Sequence, residues 1–200
     1  MEKRELALLL HTVGAIKFGE FTLKSGSKSP VYIDLRILIS APETLRKVAI
    51  SLNQAAHDIS FDRLCGIPYA ALPIGVAMSL ESGVPLVYAR KETKAYGTNK
   101  PIEGVHKAGE TVLMVDDVIT NADSKFEAAK PLQDAGLIIR DFLVLVDREQ
   151  GGRDKLEKAG YKLHALFTMT ELTDFLLDGR AIDSEMRDKV LAYILENQVI

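Results

Sequence analysis

Short apolar segments alternate with stretches of helical periodicity from residue 62 onward, and this alternation limits the possible folds more than any other feature of the chain. The apolar segments are RLCGI, PLVYA, TVLMV, LIIRDFLVLV and YKLHALF, and the stretches between them include LPIGVAMSLES and SKFEAAKPLQDAG. Strands that alternate with helices pair in parallel and form a sheet that helices cover on both faces. The sequence therefore predicts an α/β fold with a central parallel sheet flanked by helices.

The N-terminal part of the chain has a different pattern. Residues 2–16 have helical spacing, and the following FTLKSGSKSPVYIDLR indicates two short strands around a Ser/Gly/Lys turn. Ser40 and Glu43 form a capping-box pattern that predicts a helix running to about Ala56. We expect these opening elements to form a small N-terminal cap.

Composition limits the number of domains and the class of partner. The chain has 200 residues, of which 47% are hydrophobic, and this is enough for one sizeable core. We expect a single domain over residues 1–200, with about 1–40 in the cap and about 60–170 in the core. A net charge of -3 gives no reason to expect nucleic acid as a partner.

The sequence also argues against secretion and membrane insertion. The single cysteine, Cys65, has no partner for an internal disulfide, and the N-terminal MEKRELALLL lacks the apolar stretch of a signal peptide. No apolar run approaches the roughly 20 residues that cross a bilayer. The expected location is therefore cytoplasmic.

Four of the predicted strands end in polar, glycine-bearing or charged sequences, namely GIPYAAL, ARKETKAYGTNKPIEG, DDVITNADS and DREQGG. Ligands of open parallel sheets bind in the crevice beyond the carboxyl ends of the strands. These four sequences should meet at that edge, so the sequence predicts the functional site there.

The longest connection in the alternating part of the chain is residues 90–108. Its cations include Arg90, Lys91, Lys94 and Lys100, and the acids near these four are Glu92 and Glu103. A long cationic connection is typical of a flap that closes over a phosphate-bearing substrate, although a solvated surface loop has the same composition.

Two adjacent acids, Asp116 and Asp117, follow the apolar TVLMV segment. They could be solvated acids at a strand end, could accept hydrogen bonds from two ribose hydroxyls, or could engage a hydrated metal. Thr120 follows, and Ser124 with Glu127 predicts a second capping box and a helix that begins at Ser124. A helix start directly after an acid pair favours a ribose-then-phosphate site.

Two further cations have alternative interpretations. Arg148 lies between Asp147 and Glu149, so it could form a salt bridge at a strand end or grip a planar carboxylate through two hydrogen bonds. Lys24 could likewise be a surface lysine of a hairpin or a ligand of the site.

Five stretches in this order and spacing, FTLKSGSKSPVYIDLR, CGIPYAALP, ARKETKAYGTNKPIEG, VLMVDDVIT and LVLVDREQGG, resemble the orotate phosphoribosyltransferase family. They are similar in particular to the form found as the first half of bifunctional UMP synthases, from about residue 18 to 170. The resemblance implies a type I phosphoribosyltransferase-like fold and the reaction of phosphoribosyl pyrophosphate (PRPP) with orotate to give orotidine monophosphate and pyrophosphate. It also implies Mg²⁺ held mainly through the pyrophosphate, with no ligand directly from the protein, and a homodimer whose flap, residues 90–108, reaches the neighbouring site.

The resemblance also implies roles for individual residues. Lys94, Asp116 and Asp117 would be catalytic, with the acids on the ribose hydroxyls and Lys94 on the departing pyrophosphate. Orotate would be held by Tyr32, Ile33, Thr120 and Arg148. The residues implied for PRPP are Lys24, Tyr69, Ala70, Arg90, Lys91, Lys94, Tyr96, Asp116, Asp117, Val118, Ile119, Thr120, Asn121, Ala122, Asp123 and Ser124.

The turn at residues 120–124 departs from the family pattern. Ala122 occupies a position where the family usually has glycine, and Asp123 one where it usually has serine or threonine. A carboxylate roughly 5 Å from a phosphate costs on the order of 1 kcal/mol or more, so we expect weakened PRPP binding unless Asp123 turns away or Lys125 offsets its charge. Pro131 predicts a kink in the following helix.

Other classes of function remain as alternatives. A protein of this fold that senses PRPP or a nucleotide without turnover is compatible with Ala122 and Asp123, and product formation would distinguish it from an enzyme. A receiver-type signalling domain would use the acid pair as a metal pocket but leaves the flap unexplained. Dinucleotide binding is disfavoured because no Gly-x-Gly-x-x-Gly follows a strand.

Overall fold

The computed structural model describes residues 1–22, 26–90 and 101–198. Its main sheet has six strands in the order β5-β4-β3-β6-β7-β8. All neighbours in this sheet pair in parallel except β4 and β5, which are antiparallel. The strand bounds are β3 Arg63–Gly66, β4 Leu86–Ala89, β5 Ile102–Glu103, β6 Thr111–Ile119, β7 Ile138–Asp147 and β8 Lys162–Thr168.

Seven α-helices in the described residues surround this sheet or extend from it. Their bounds are α1 Lys3–Thr12, α2 Pro42–Ala55, α3 Ala71–Ser82, α4 Asp123–Asp134, α5 Gly152–Lys158, α6 Met169–Asp178 and α7 Ser184–Glu196. None of the helices in the described ranges is long and apolar enough to cross a membrane.

The central strands β6 and β7 are buried on both faces, as the unbroken apolar runs predict. Residues 112–115 of β6 and 142–146 of β7 are fully buried. Two apolar clusters cover the sheet: one includes Ala129 and Leu132 of α4 with Leu156 of α5, and the other takes its helical residues from α1, α2, α3, α6 and α7. The predicted α/β fold is confirmed.

The N-terminal region adds a separate two-stranded sheet. Strands β1 Ile16–Thr22 and β2 Lys28–Ile33 pair antiparallel, and a 3-10 helix, Leu35–Ser40, leads from β2 towards α2. Helix α7 packs against β2, and α1 packs against α2 and α6. The predicted pair of short strands is therefore confirmed.

Helix α2 differs from its predicted start. The predicted capping box at Ser40 is wrong, because the helix begins at Pro42 after Ala41 and no side chain caps it. Proline at the first helical position supplies the helical φ angle and needs no hydrogen-bond partner for its nitrogen.

Candidate functional site

A cavity of about 380 Å³ opens at the carboxyl ends of β3, β4 and β6. It brings together residues from three of the four strand-end sequences, at the edge where the parallel topology predicts a ligand. Its lining residues are Ile67, Pro68, Tyr69, Ala70, Ala89, Arg90, Asp116, Asp117, Val118, Ser124, Lys125, Glu127, Ala128 and Pro131.

The turn after β3 is held close to helix α3 by two glycines. A Cβ at Gly66 would lie 2.8 Å from the Ala71 carbonyl oxygen, and a Cβ at Gly75 would lie 3.3 Å from the Gly66 Cα. Contacts this short exclude a side chain at Gly66 without a shift of the backbone. The two glycines thus let the turn pack tightly at the start of α3 and place Tyr69 and Ala70 at the cavity.

Asp116 and Asp117 lie inside β6 rather than beyond it, because the ladder to β7 continues to Ile119 opposite Asp147. The Asp117 N–H donates to Asp116 Oδ1 over 2.8 Å, and the Val118 N–H donates to Asp117 Oδ1 over 2.8 Å. Burial and the neighbouring charge of Asp116 raise the pKa of Asp117 to about 7. The pair therefore combines two carboxyl groups with different surroundings.

Lys125 is buried beside this acid pair. Its Nζ lies 2.7 Å from Asp116 Oδ2 and also donates to the Val118 carbonyl. The ammonium thus faces the acid pair, and Lys125 is not the ion-pair partner of Asp123.

The turn at residues 120–124 leads into α4. Ala122 has φ 67°, in the left-handed region that favours glycine. Among the described residues, the Asn121, Ala122 and Ser124 amides donate no hydrogen bond. Free amides at the start of a twelve-residue helix are the arrangement that binds phosphate.

The start of α4 also corrects the sequence analysis. The predicted start at Ser124 with a capping box is wrong, because α4 begins at Asp123 and no side chain caps it. The helix continues past Pro131 to Asp134, so the proline lies within its last turn and a half.

The Asp123 side chain turns towards α5. Its carboxylate forms an ion pair with Lys155 and accepts a hydrogen bond of 2.8 Å from Asn121 Nδ2. Both partners engage the oxygens that would otherwise add unbalanced negative charge to the turn.

Arg90 begins the connection that the sequence predicts to be a flap. The Arg90 N–H donates to the Pro101 carbonyl over 2.9 Å, the guanidinium pairs with Glu103, and β5 pairs with β4 just beyond. No sequence pattern predicted β5. Lys91, Lys94 and Tyr96 of the flap, and Lys24 of the hairpin, lie outside the described residues.

The DREQGG turn after β7 packs against the turn at residues 120–124, which is named the phosphate turn for its free amides. The Arg148 N–H donates to the Ile119 carbonyl over 3.0 Å, and a Cβ at Gly152 would lie 2.6 Å from the Thr120 carbonyl oxygen. Thr120 and Arg148, two of the residues implied for orotate, are therefore close along this shared edge.

The acids beside Arg148 have other partners. Asp147 pairs with Arg153 at 3.1 Å, and Glu149 accepts a hydrogen bond of 2.7 Å from the Thr170 N–H at the start of α6. In the described part of the chain Arg148 forms no ion pair, so the alternative of a strand-end salt bridge is wrong. Its half-buried guanidinium is available to a ligand.

Tyr32 and Ile33, also implied for orotate, lie on β2. The Tyr32 ring is 5.5 Å from the Phe21 ring, and no hydrogen bond or ion pair within residues 1–22, 26–90 and 101–198 joins Tyr32 or Ile33 to Arg148. Their role in binding orotate stays a prediction.

A metal ion has no all-protein cage in the described residues, because they contain no suitable group of three or more His, Cys, Asp or Glu side chains. The acids that line the cavity, Asp116, Asp117 and Glu127, thus form no such group.

Three residues shape this site through contacts that were not predicted from the sequence: Lys125, Lys155 and Gly152. A lysine at the third position of a helix gives no sign of being buried, and Lys155 lies 32 residues from its partner Asp123. The doubled glycine in DREQGG was the available signal for a close backbone approach.

Comparisons with known proteins match this geometry. No protein-family model matches the chain. The chain is 44% identical over 193 residues to the uridine 5'-monophosphate synthase of Bos taurus, with 96% of this chain and 40% of that protein covered. It is 42% identical over 172 residues to the orotate phosphoribosyltransferase of Pyrococcus furiosus, with 85% of this chain and 94% of that protein covered.

A solved structure with the same fold is that of Leishmania donovani UMP synthase. It superposes with a TM-score of 0.89 at 39% identity and covers 98% of this chain and 43% of that one. The chain therefore spans about 40% of the Bos taurus protein and nearly all of the archaeal one. The fold, the strand-end site and the similarity over most of both chains show that this chain belongs to the orotate phosphoribosyltransferase family.

Proposed function

We propose that this chain transfers the phosphoribosyl group of PRPP to orotate, giving orotidine 5'-monophosphate and pyrophosphate in UMP biosynthesis. The observation that carries the proposal is the single cavity that joins the Tyr69–Ala70 turn and Arg90 to the acid pair and the start of α4. Each part suits a different portion of a sugar that carries phosphates at both ends, and family membership supports the assignment.

The acid pair suits the ribose. A carboxylate accepts hydrogen bonds from vicinal hydroxyls, and Asp116 and Asp117 follow each other at the cavity wall. The free amides of Asn121, Ala122 and Ser124 would bind the 5-phosphate, while the turn at Tyr69 and Ala70 would border the pyrophosphate.

The chemistry needs no nucleophile from the protein. A ring nitrogen of orotate supplies the electron pair for the new bond to C1 of the ribose and loses its proton to the departing pyrophosphate or to solvent. The bond from C1 to pyrophosphate breaks, and its electron pair leaves with the pyrophosphate. The ribose gains positive character between these events, so fixed charges and dipoles have the main task. Lys94 would stabilise the departing pyrophosphate from the flap.

Magnesium is part of the proposal. The acids that line the cavity, Asp116, Asp117 and Glu127, form no three-ligand cage among the described residues, which fits an ion that arrives bound to the pyrophosphate. Bound there, Mg²⁺ would neutralise charge on the leaving group. Removal of Mg²⁺ with a chelator should abolish turnover, and added Mg²⁺ should restore it.

Orotate recognition is proposed to involve Arg148. Its half-buried guanidinium forms no ion pair among the described residues and lies beside the phosphate turn, so it can bind the orotate carboxylate through two hydrogen bonds. Arg148→Met should raise KM for orotate, with KM for PRPP little changed. Arg140→Met is the matched control, because Arg140 is exposed near the opposite end of β7.

The activity itself is tested by the loss of orotate absorbance on addition of PRPP and Mg²⁺, with orotidine monophosphate identified as the product. Asp117→Asn should lose turnover, whereas Asp134→Asn, at an exposed pair with Lys130, should keep it. PRPP binding without product would favour the sensor that the sequence leaves as an alternative.

We also propose a homodimer in which each flap serves the neighbouring site. Helix α3 exposes Val76 and Leu80, which are 46% and 81% accessible and lie four residues apart on one helix face. This face suits an interface between copies, and Leu80→Lys should shift the protein to monomers in sedimentation experiments.

Mixing two inactive chains tests the shared flap. A mixed dimer of Lys94→Ala and Asp117→Asn chains has one intact site if the flap serves its neighbour, so mixing should restore about a quarter of wild-type activity. No recovery in dimers of proven mixed composition would place each flap over its own site.

The cytoplasmic location stays a prediction, which cell fractionation would test.

A further inference from the structure

The side chain of Lys125 is buried, and a buried ammonium needs a partner that compensates its charge. Lys125 is the third residue of α4, and only 3% of its surface is accessible. Lysine is almost never buried to this degree unless a partner compensates its charge. Its side chain also lines the cavity assigned to PRPP.

The contacts of Lys125 fix one member of the acid pair. Its Nζ lies 2.7 Å from Asp116 Oδ2, while the other oxygen of Asp116 accepts the Asp117 N–H over 2.8 Å. Both oxygens of Asp116 are therefore tied to the protein, and the carboxylate plane has one orientation. Asp117 has a single backbone bond, from the Val118 N–H, and is less enclosed.

We propose that Lys125 is a positioning residue for PRPP, which acts through Asp116 by fixing that carboxylate and cancelling its charge, so that Asp117 carries the variable charge of the pair. This inference rests on the proposed function, because the benefit arises when the ligand is a polyanion. Two uncompensated carboxylates would repel the phosphates of PRPP, whereas one carboxylate paired with a buried ammonium keeps its hydrogen-bonding oxygens without adding net charge.

The charge balance around the pair is set by few groups in the described residues. The other titratable side chains at the cavity are Tyr69, Arg90 and Glu127, and Cys65 lies behind the pair on β3. Arg90 is paired with Glu103, so Lys125 is the cation in direct contact with the acids.

Lys125→Met tests the inference, because methionine keeps the length of the side chain and removes the charge. Carbon-13 NMR of the ligand-free protein follows the titration of Asp117, and steady-state kinetics follow PRPP across the same pH range. We expect the Asp117 midpoint to rise by about one pH unit or more, since the ammonium favours the charged acid pair. KM for PRPP should rise about tenfold, with a smaller change in kcat.

Two further variants complete the test. Lys130→Met, at an exposed lysine of the same helix, should change neither the midpoint nor KM. Lys125→Met combined with Asp116→Asn removes both charges, so the Asp117 midpoint should return to the wild-type value or fall below it. If Lys125→Met alone does not fold, the double variant still tests the inference. A raised Asp117 midpoint in the double variant would overturn it.

The remaining outcomes separate the two proposals. An unchanged Asp117 midpoint in Lys125→Met, or an unchanged KM for PRPP despite a raised midpoint, would overturn the positioning role. If the wild-type protein formed no orotidine monophosphate, the proposed function would fail instead. The NMR midpoints and calorimetric binding of PRPP with Mg²⁺ would then still decide whether Lys125 tunes the acid pair for this ligand.

Discussion

The Asp123 carboxylate forms an ion pair with the ammonium of Lys155 on α5, while Lys125 pairs with Asp116. Each of the two lysines thus forms an ion pair with one acid near the phosphate turn. Asn121 adds a second hydrogen bond to Asp123, so the acid that looked unsuitable for a phosphate site has two partners of its own. The turn tolerates a carboxylate because a residue distant in sequence neutralises it.

The pair leads to a prediction for Lys155→Met. Affinity for PRPP should fall by about tenfold, or ~1.4 kcal/mol, because Asp123 would be left with an uncompensated charge near the bound phosphate. Calorimetric titration with PRPP and Mg²⁺ measures the effect. The free energy of unfolding should change by less than about 1 kcal/mol, since both partners are half exposed and solvent screens the pair.

Lys158→Met is the control for that measurement, because Lys158 is an exposed lysine at the end of the same helix. It should leave PRPP affinity unchanged. Equal affinities for wild type and Lys155→Met would mean that the Asp123 carboxylate lies too far from the phosphate to matter.

A second prediction concerns the backbone strain at Ala122. A non-glycine residue in the left-handed region costs about 1–2 kcal/mol, whereas loss of its buried methyl group costs roughly 0.8 kcal/mol. Because these terms oppose each other, Ala122→Gly should change the free energy of unfolding by less than about 1 kcal/mol. Urea unfolding measures the change, and Ala129→Gly, buried in regular helix, should cost about 2 kcal/mol.

The same substitution should act on PRPP. Glycine lets the turn amides approach the phosphate closely, so Ala122→Gly combined with Asp123→Ser should bind PRPP more tightly than wild type. If Ala122→Gly and Ala129→Gly lowered the free energy of unfolding by the same amount, the backbone at Ala122 would carry no strain. Unchanged affinity in the combined variant would show that the native turn already accommodates both residues.

Much of the fold was predictable because apolar periodicity reports burial directly. The segments around 62–65, 85–88, 111–115 and 139–146 all become parallel strands. The end of β6 was placed four residues too early because acids interrupt the apolar run, yet the ladder to β7 carries the strand on to Ile119. The two-residue strand β5 leaves no periodicity to detect, and only its pairing with β4 defines it.

The position of the candidate site was predictable from the sequence, and its contacts were less so. The acid pair and the phosphate turn are continuous in sequence, so local patterns identify them. Both predicted capping boxes were wrong because a Ser-x-x-Glu pattern also occurs one or two residues away from a helix start. Contacts such as Asp123 with Lys155 depend on where the turn before α5 packs, which no local pattern encodes.

A third prediction follows from the contact between the DREQGG turn and the phosphate turn. In Gly152→Ala the new Cβ would lie 2.6 Å from the Thr120 carbonyl oxygen and 2.7 Å from Ile119 Cγ1, so one turn must shift. We expect a loss of about 1–3 kcal/mol in unfolding free energy and a raised KM for PRPP. Gly160→Ala, where no atom lies within 4 Å of the added Cβ, should raise no KM despite its positive φ. Equal KM values for PRPP in the two variants would show that the contact between the two turns does not affect PRPP binding.

A fourth prediction uses the sign of the Asp117 titration. Burial, together with the charge of Asp116, raises the pKa of Asp117 from 3.8 to about 7 in the folded protein. The folded state therefore binds this proton more tightly than the unfolded state. The contribution of the carboxyl group to stability is fully present below pH 3.8 and is lost as the pH rises through about 7.

Asp117→Asn removes the buried charge that forms at high pH, so it should stabilise the protein relative to wild type more strongly at pH 8 than at pH 4. We expect this difference to exceed about 1 kcal/mol in urea unfolding, while turnover is lost. Asp134→Asn, at an exposed pair with Lys130, should show no comparable pH dependence. A gain in stability at the cost of activity is expected of a carboxylate kept for its ligand, and a loss of stability at pH 8 would assign Asp117 a structural role instead.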